Sequence, residues 1–85
     1  MRSVPEMIAK EDVPGLIKAL ADKNPHLRYM AAVGLGLLGD RTAVEPLMKA
    51  LADEDAFVRN AVADALLRLG QPVDPDSPVA TPPRG

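Results

Sequence analysis

Residues Gly34 to Gly39 read GLGLLG and match the spelling G-x-G-x-x-G. In a dinucleotide-binding loop, glycines at that spacing let backbone amides approach a pyrophosphate, and an acid about 20 residues further on holds the ribose. Acids do follow, at Asp53, Glu54 and Asp55. Other reactive constellations are sparse. His26 is the single histidine and cysteine is absent, so no thiolate metal site is available. Ser3 and Ser77 lie in the terminal segments, which leaves no Ser-His-Asp arrangement. The acidic cluster reads as a solvated turn that favours the N-terminus of a following helix. These residues point to no catalytic, cofactor-binding or metal-ligating site. A phosphate loop also requires a strand before it and a helix opening at it, so the flanking elements decide what GLGLLG means.

Those flanks are a repeat. A shift of 31 positions lays VPGLIKALADKNPHLRYMAAVGLGLLG, from Val13, over VEPLMKALADEDAFVRNAVADALLRLG, from Val44, without a gap. Each copy reads as two helices. Val13, Leu16, Ile17 and Leu20 follow the i, i+3, i+4, i+7 spacing of one buried face, as do Val44, Leu47, Met48 and Leu51. The longer partner helices carry the stripes Leu27, Met30, Ala31, Gly34, Leu35, Leu38 and Val58, Ala61, Val62, Ala65, Leu66, Leu69. No run alternates with a period of two. Helix ends carry their own signals: Asp12, Asn24 and Asp55 as N-caps, Pro25 at a first helical position, Thr42 to Glu45 and Ser3 to Glu6 as capping boxes, and Gly39 and Gly70 as left-handed stops. The expected organisation is a partial N-terminal capping helix over 1–11, two repeats over 12–40 and 42–70, and a Pro-rich disordered tail over 71–85. The expected fold is all-α, an α-solenoid fragment of two helical hairpins plus the partial helix.

Composition narrows the partners. The chain has 85 residues and a formal charge of −2 with both signs scattered, which gives no footprint for nucleic acid or an anionic membrane. Tyr29 and Phe57 are the only aromatics, too few for a base-stacking surface. No apolar run approaches the roughly 20 residues of a membrane span, and the N-terminus lacks a signal-peptide core. The expected location is the cytoplasm, and no small-molecule substrate is evident.

Two helices per unit, an Asp before an Arg, then A-x-x-x-L-x-x-L-G resemble the HEAT repeats. The 31-residue offset resembles the short HEAT-like type found in phycobilin lyase subunits, and the likeness covers Val13 to Gly70. The resemblance implies a scaffold or interaction role, with an alternative as a fragment or accessory subunit of a lyase-like enzyme. It also implies that Asp22, Arg28, Asp53 and Arg59 form a structural ladder joining turns to second helices. In HEAT-repeat hydroxylases of the deoxyhypusine type, His-Glu pairs that hold iron follow the helix-opening Arg. Here those positions are Tyr29-Met30 and Asn60-Ala61, which offer no such ligands.

On the faces turned away from the core stripe, the copies part company. The second exposes Asn60, Asp64 and Arg68, whereas the first places Tyr29, Val33 and Leu37 at i, i+4 and i+8, with Gly36 beside them. These four are the expected contacts for another protein or a second copy of the chain. GLGLLG thus closes a helix rather than opening one. Gly34 aligns with Ala65 as a small packing residue and Gly39 with Gly70 as a stop, while Gly36 aligns with Leu67 and has no evident reason except a close contact with another chain.

Overall fold

The computed structural model describes residues 4–71. Ser3 and the Pro-rich segment beyond Gln71 lie outside the described residues. Five α-helices appear in the order α1 (Val4–Ala9), α2 (Val13–Ala19), α3 (Pro25–Leu38), α4 (Val44–Ala50) and α5 (Ala56–Arg68), with a 3₁₀ turn at Arg41–Ala43 before α4. No strand occurs among the described residues. The hairpins α2/α3 and α4/α5 stack chiefly through α3 on α5, while α1 packs on α2 and α3.

Local chemistry accounts for most helix ends. The Asp12 carboxylate accepts the Gly15 amide at 3.1 Å, the Asn24 side chain accepts the His26 amide at 2.9 Å, and Asp55 accepts the Phe57 and Val58 amides at 2.8 and 3.1 Å. Pro25 opens α3 where no donor is lost. Gly39 and Gly70 take φ of 71° and 83° at the ends of α3 and α5. The capping box expected at Thr42–Glu45 does not form. Thr42 lies within the 3₁₀ turn, and its amide and hydroxyl both donate to Asp40, at 2.8 and 2.7 Å. Asp40 caps the chain earlier, at the 3₁₀ turn, and places Thr42 inside that turn, so α4 starts without a side-chain cap.

The core repeats with the sequence. Leu16 and Leu47, and Leu35 and Leu66, occupy equivalent positions and are all fully buried, together with Val58 and Val62. Burial of each such side chain is worth roughly 1.5–3 kcal/mol. Between hairpins, size matching sets the approach. A Cβ added to Gly34 would fall 2.5 Å from Ile8 Cγ1, so the glycine admits the α1 side chain. A Cβ on Gly36 would fall 2.9 Å from Ala65 Cα and 3.0 Å from Ala65 Cβ. An isoleucine over a glycine in one contact becomes a glycine over an alanine in the next. The short α1 therefore packs on α3 much as α3 packs on α5.

Candidate interaction surface

The charged residues of the two turns are drawn together by the stacking of α3 on α5. Arg28 is 8% exposed, and its guanidinium joins the two hairpins. Nε and Nη2 donate to the Asp53 carboxylate at 2.8 and 3.1 Å, while Nη1 donates to the carbonyls of Asp22 and Lys23 at 2.7 and 3.0 Å. Asp53 also accepts the Asp55 amide at 2.9 Å. Burial pushes the Asp53 carboxyl up, but the Arg28 hydrogen bond, the Asp55 amide and the charges of Arg28 and Arg59 outweigh it and hold the group below the usual carboxylate range. The Asp53 hydrogen bond in turn raises Arg28, against its own desolvation.

Arg59 repeats only part of this pattern. Its Nη1 donates to the Asp53 carbonyl at 2.7 Å, matching the bond from Arg28 to Asp22, and the side chain is exposed. The Asp22 carboxylate does not meet Arg28. It accepts the Asn24 amide at 2.9 Å and shapes the turn before α3.

The residues expected to contact a partner fall into two groups. Tyr29, Val33 and Leu37 are 41%, 37% and 60% exposed on α3. Gly36 is not part of that strip. It is buried against Ala65 and the Arg68 side chain of α5, so its close neighbour is this chain itself and not another. At the equivalent position on α5, Leu67 is 59% exposed.

A concavity of about 360 Å³ opens at the first turns of α3 and α5, lined by Pro25, His26, Tyr29, Asp55 and Phe57. It holds the single histidine and both aromatics of the chain. In the sequence, His26 is a lone histidine and Phe57 one of two scattered aromatics. The signal was present in the repeat: a shift of 31 carries His26 onto Phe57, so stacking places them side by side. A second groove, of about 380 Å³, lies between α2 and α4, with Ile17, Leu20, Pro46 and Lys49 among its walls. No three His, Cys, Asp or Glu side chains converge as metal ligands among the described residues, and no described helix is long and apolar enough to cross a membrane.

Stacked antiparallel helical hairpins, tied turn to turn by an Arg–Asp pair, define an α-solenoid of short helical repeats. The chain belongs to the HEAT repeat family, whose model matches residues 13–79. It is also similar to the phycocyanobilin lyase subunit alpha of Picosynechococcus sp., with 40% identity over 58 residues. That match covers 64% of this chain but only 22% of the relative, so the chain spans about a fifth of that protein's length. No solved structure matches the chain significantly.

Proposed function

We propose that this chain is a non-catalytic protein–protein interaction module, which binds a partner protein or a second copy of itself through its helical surface. The observation that carries the reading is the contrast between α3 and α5 at equivalent positions. Tyr29, Val33 and Leu37 expose an apolar strip, where the second repeat has Asn60, Asp64 and Arg68, the last two joined as an ion pair at 2.9 Å. An apolar strip beside a wet face is the pattern of a contact surface rather than of a free exterior. The residue set supports a non-catalytic role as well, since His26 is the only imidazole and the chain has no cysteine thiol.

Sedimentation over a range of concentrations, paired with affinity capture, tests this. The expected result is self-association or capture of a partner that Val33→Glu abolishes while helicity is retained. A monomer at every concentration, with no partner distinguishing the wild type from Val33→Glu, would overturn it.

The lyase relative favours a second reading: a fragment or accessory subunit of a phycobilin-lyase-like HEAT-repeat enzyme. That reading expects a bilin absorption band in protein purified after incubation with phycocyanobilin. Two hairpins form only a shallow concavity, near the lower end of ligand-pocket volumes, which supports the interaction reading over this one.

A further inference from the structure

We infer that the concavity between the first turns of α3 and α5 receives a basic side chain, arginine or lysine, of the partner protein. The inference rests on the interaction-module reading and adds the chemistry of one anchor. Tyr29 and Phe57 are the only aromatic rings in the chain, they come from different helices, and they line the same 360 Å³ space. Phe57 is 74% exposed. One exposed ring on a surface needs no explanation, but the convergence of both on one concavity does.

The negative faces of such rings attract a cation lying within about 6 Å. Asp55 adds a formal negative charge to the wall. Its Oδ1 caps α5 through the Phe57 and Val58 amides, and no hydrogen bond to Oδ2 occurs among the described residues. Glu54, next in sequence, is almost fully exposed, and its side chain lies 3.9 Å from Arg28. Arg28 is already paired with Asp53, and Arg59 donates to the Asp53 carbonyl.

An anion is the competing occupant, because two helix N-termini open here. Most of their first-turn amides are taken, however: His26 by the Asn24 side chain, Leu27 and Arg28 by the Asn24 carbonyl, and Phe57 and Val58 by Asp55. What the walls leave without a hydrogen bond among the described residues are the Tyr29 and Phe57 rings, the His26 imidazole and a carboxylate oxygen; the rings and the carboxylate suit a guanidinium or ammonium. The volume of about 360 Å³ admits one long side chain. Tyr29 also begins the apolar strip with Val33 and Leu37, so an amphipathic partner helix with a basic residue about one or two turns from its apolar anchors fits both features at once.

The test is a ¹H–¹⁵N titration of the full chain with N-acetyl-arginine amide, with N-acetyl-glutamine amide as the neutral control. The expected result is saturable shifts at the His26, Tyr29 and Phe57 amides with an affinity on the order of millimolar. Phe57→Ala should weaken binding by about two- to fivefold. Asp55→Asn keeps an oxygen to cap α5 and removes the charge, so it should weaken binding with little change in melting temperature. Shifts that do not saturate, or that the neutral amide reproduces equally, overturn the proposal. Undiminished binding by folded Asp55→Asn and Phe57→Ala overturns it too. Sedimentation reports separately on the module: arginine binding without any association would leave the pocket standing and remove its protein partner.

Discussion

The Arg28 guanidinium and the Asp53 carboxylate form a two-point pair across the hairpin junction, at 2.8 and 3.1 Å, with both side chains about 10% exposed. The third nitrogen of Arg28 closes the turn of its own hairpin through the Asp22 and Lys23 carbonyls. One side chain thereby fixes both a turn and the stacking of two repeats. Arg28→Ala removes all of these bonds and leaves Asp53 charged without its principal partner. The expected fall in Tm is on the order of 10 °C. Arg59→Ala loses a single exposed bond to the Asp53 carbonyl and should cost only a few degrees. Arg28→Lys should not restore the loss, because an ammonium cannot make the planar two-point contact. Thermal melts of the three variants check the order.

Acid should weaken the same junction. Asp53 is held below its ordinary value in the folded chain, so folding favours its ionised form. That contribution is present above the unfolded carboxyl value of about 3.9 and is lost as pH falls through the lower folded value. Asp40, held low by the Thr42 hydroxyl and amide, acts with the same sign. Melting temperature should therefore drop as pH is taken below about 4, and Asp53→Asn should show a shallower drop with a lower plateau at neutral pH. Parallel pH profiles for the two proteins would count against Asp53 as a source of the slope.

Gly36 offers a test in which helix propensity and packing oppose each other. At an exposed helix position, glycine to alanine stabilises by about 1 kcal/mol. Here the new methyl would lie 2.9 Å from the Ala65 Cα, a backbone atom that cannot swing aside. Gly36→Ala should yield no gain, and Gly36→Leu should destabilise by about 1–3 kcal/mol or more through overpacking. Urea denaturation measures both, and a stabilised Gly36→Ala would contradict the close approach of α3 to α5.

Glu11 is a place where stability can be gained. It holds φ of 56°, the only positive value at a non-glycine among the described residues. The Asp12 amide there donates to the Met7 carbonyl at 2.8 Å and the Glu11 amide to Ile8 at 3.0 Å, which closes α1 in the manner usually given to glycine. A left-handed conformation costs a residue with a Cβ about 1–2 kcal/mol. Glu11→Gly relieves that but gives the unfolded chain more entropy to lose on folding, for an expected net gain of about 0.5–1 kcal/mol. A raised melting midpoint is the outcome to look for.

Much of the fold is legible in local signals. Apolar spacing defined each helix and its inward face, as at Leu16 and Leu47, because a helix settles its own periodicity. Asp12, Asn24 and Asp55 were legible as caps because a cap acts within three residues. Thr42 does not cap α4, because Asp40 also has a capping side chain and starts the 3₁₀ turn two residues earlier. The repeat itself was written in the gapless shift from Val13 to Val44.

By itself the sequence determined the helices, the hairpins, their stacking as HEAT repeats and the strip of Tyr29, Val33 and Leu37. Only the tertiary structure decided that Arg28 takes the Asp53 carboxylate and the Asp22 carbonyl, that Gly36 is covered by α5, and that His26, Tyr29 and Phe57 share one concavity. The physical reason is common to all three. Each depends on how far one hairpin is shifted and turned relative to the next, a quantity set by contacts such as Gly36 over Ala65, and no single helix encodes it.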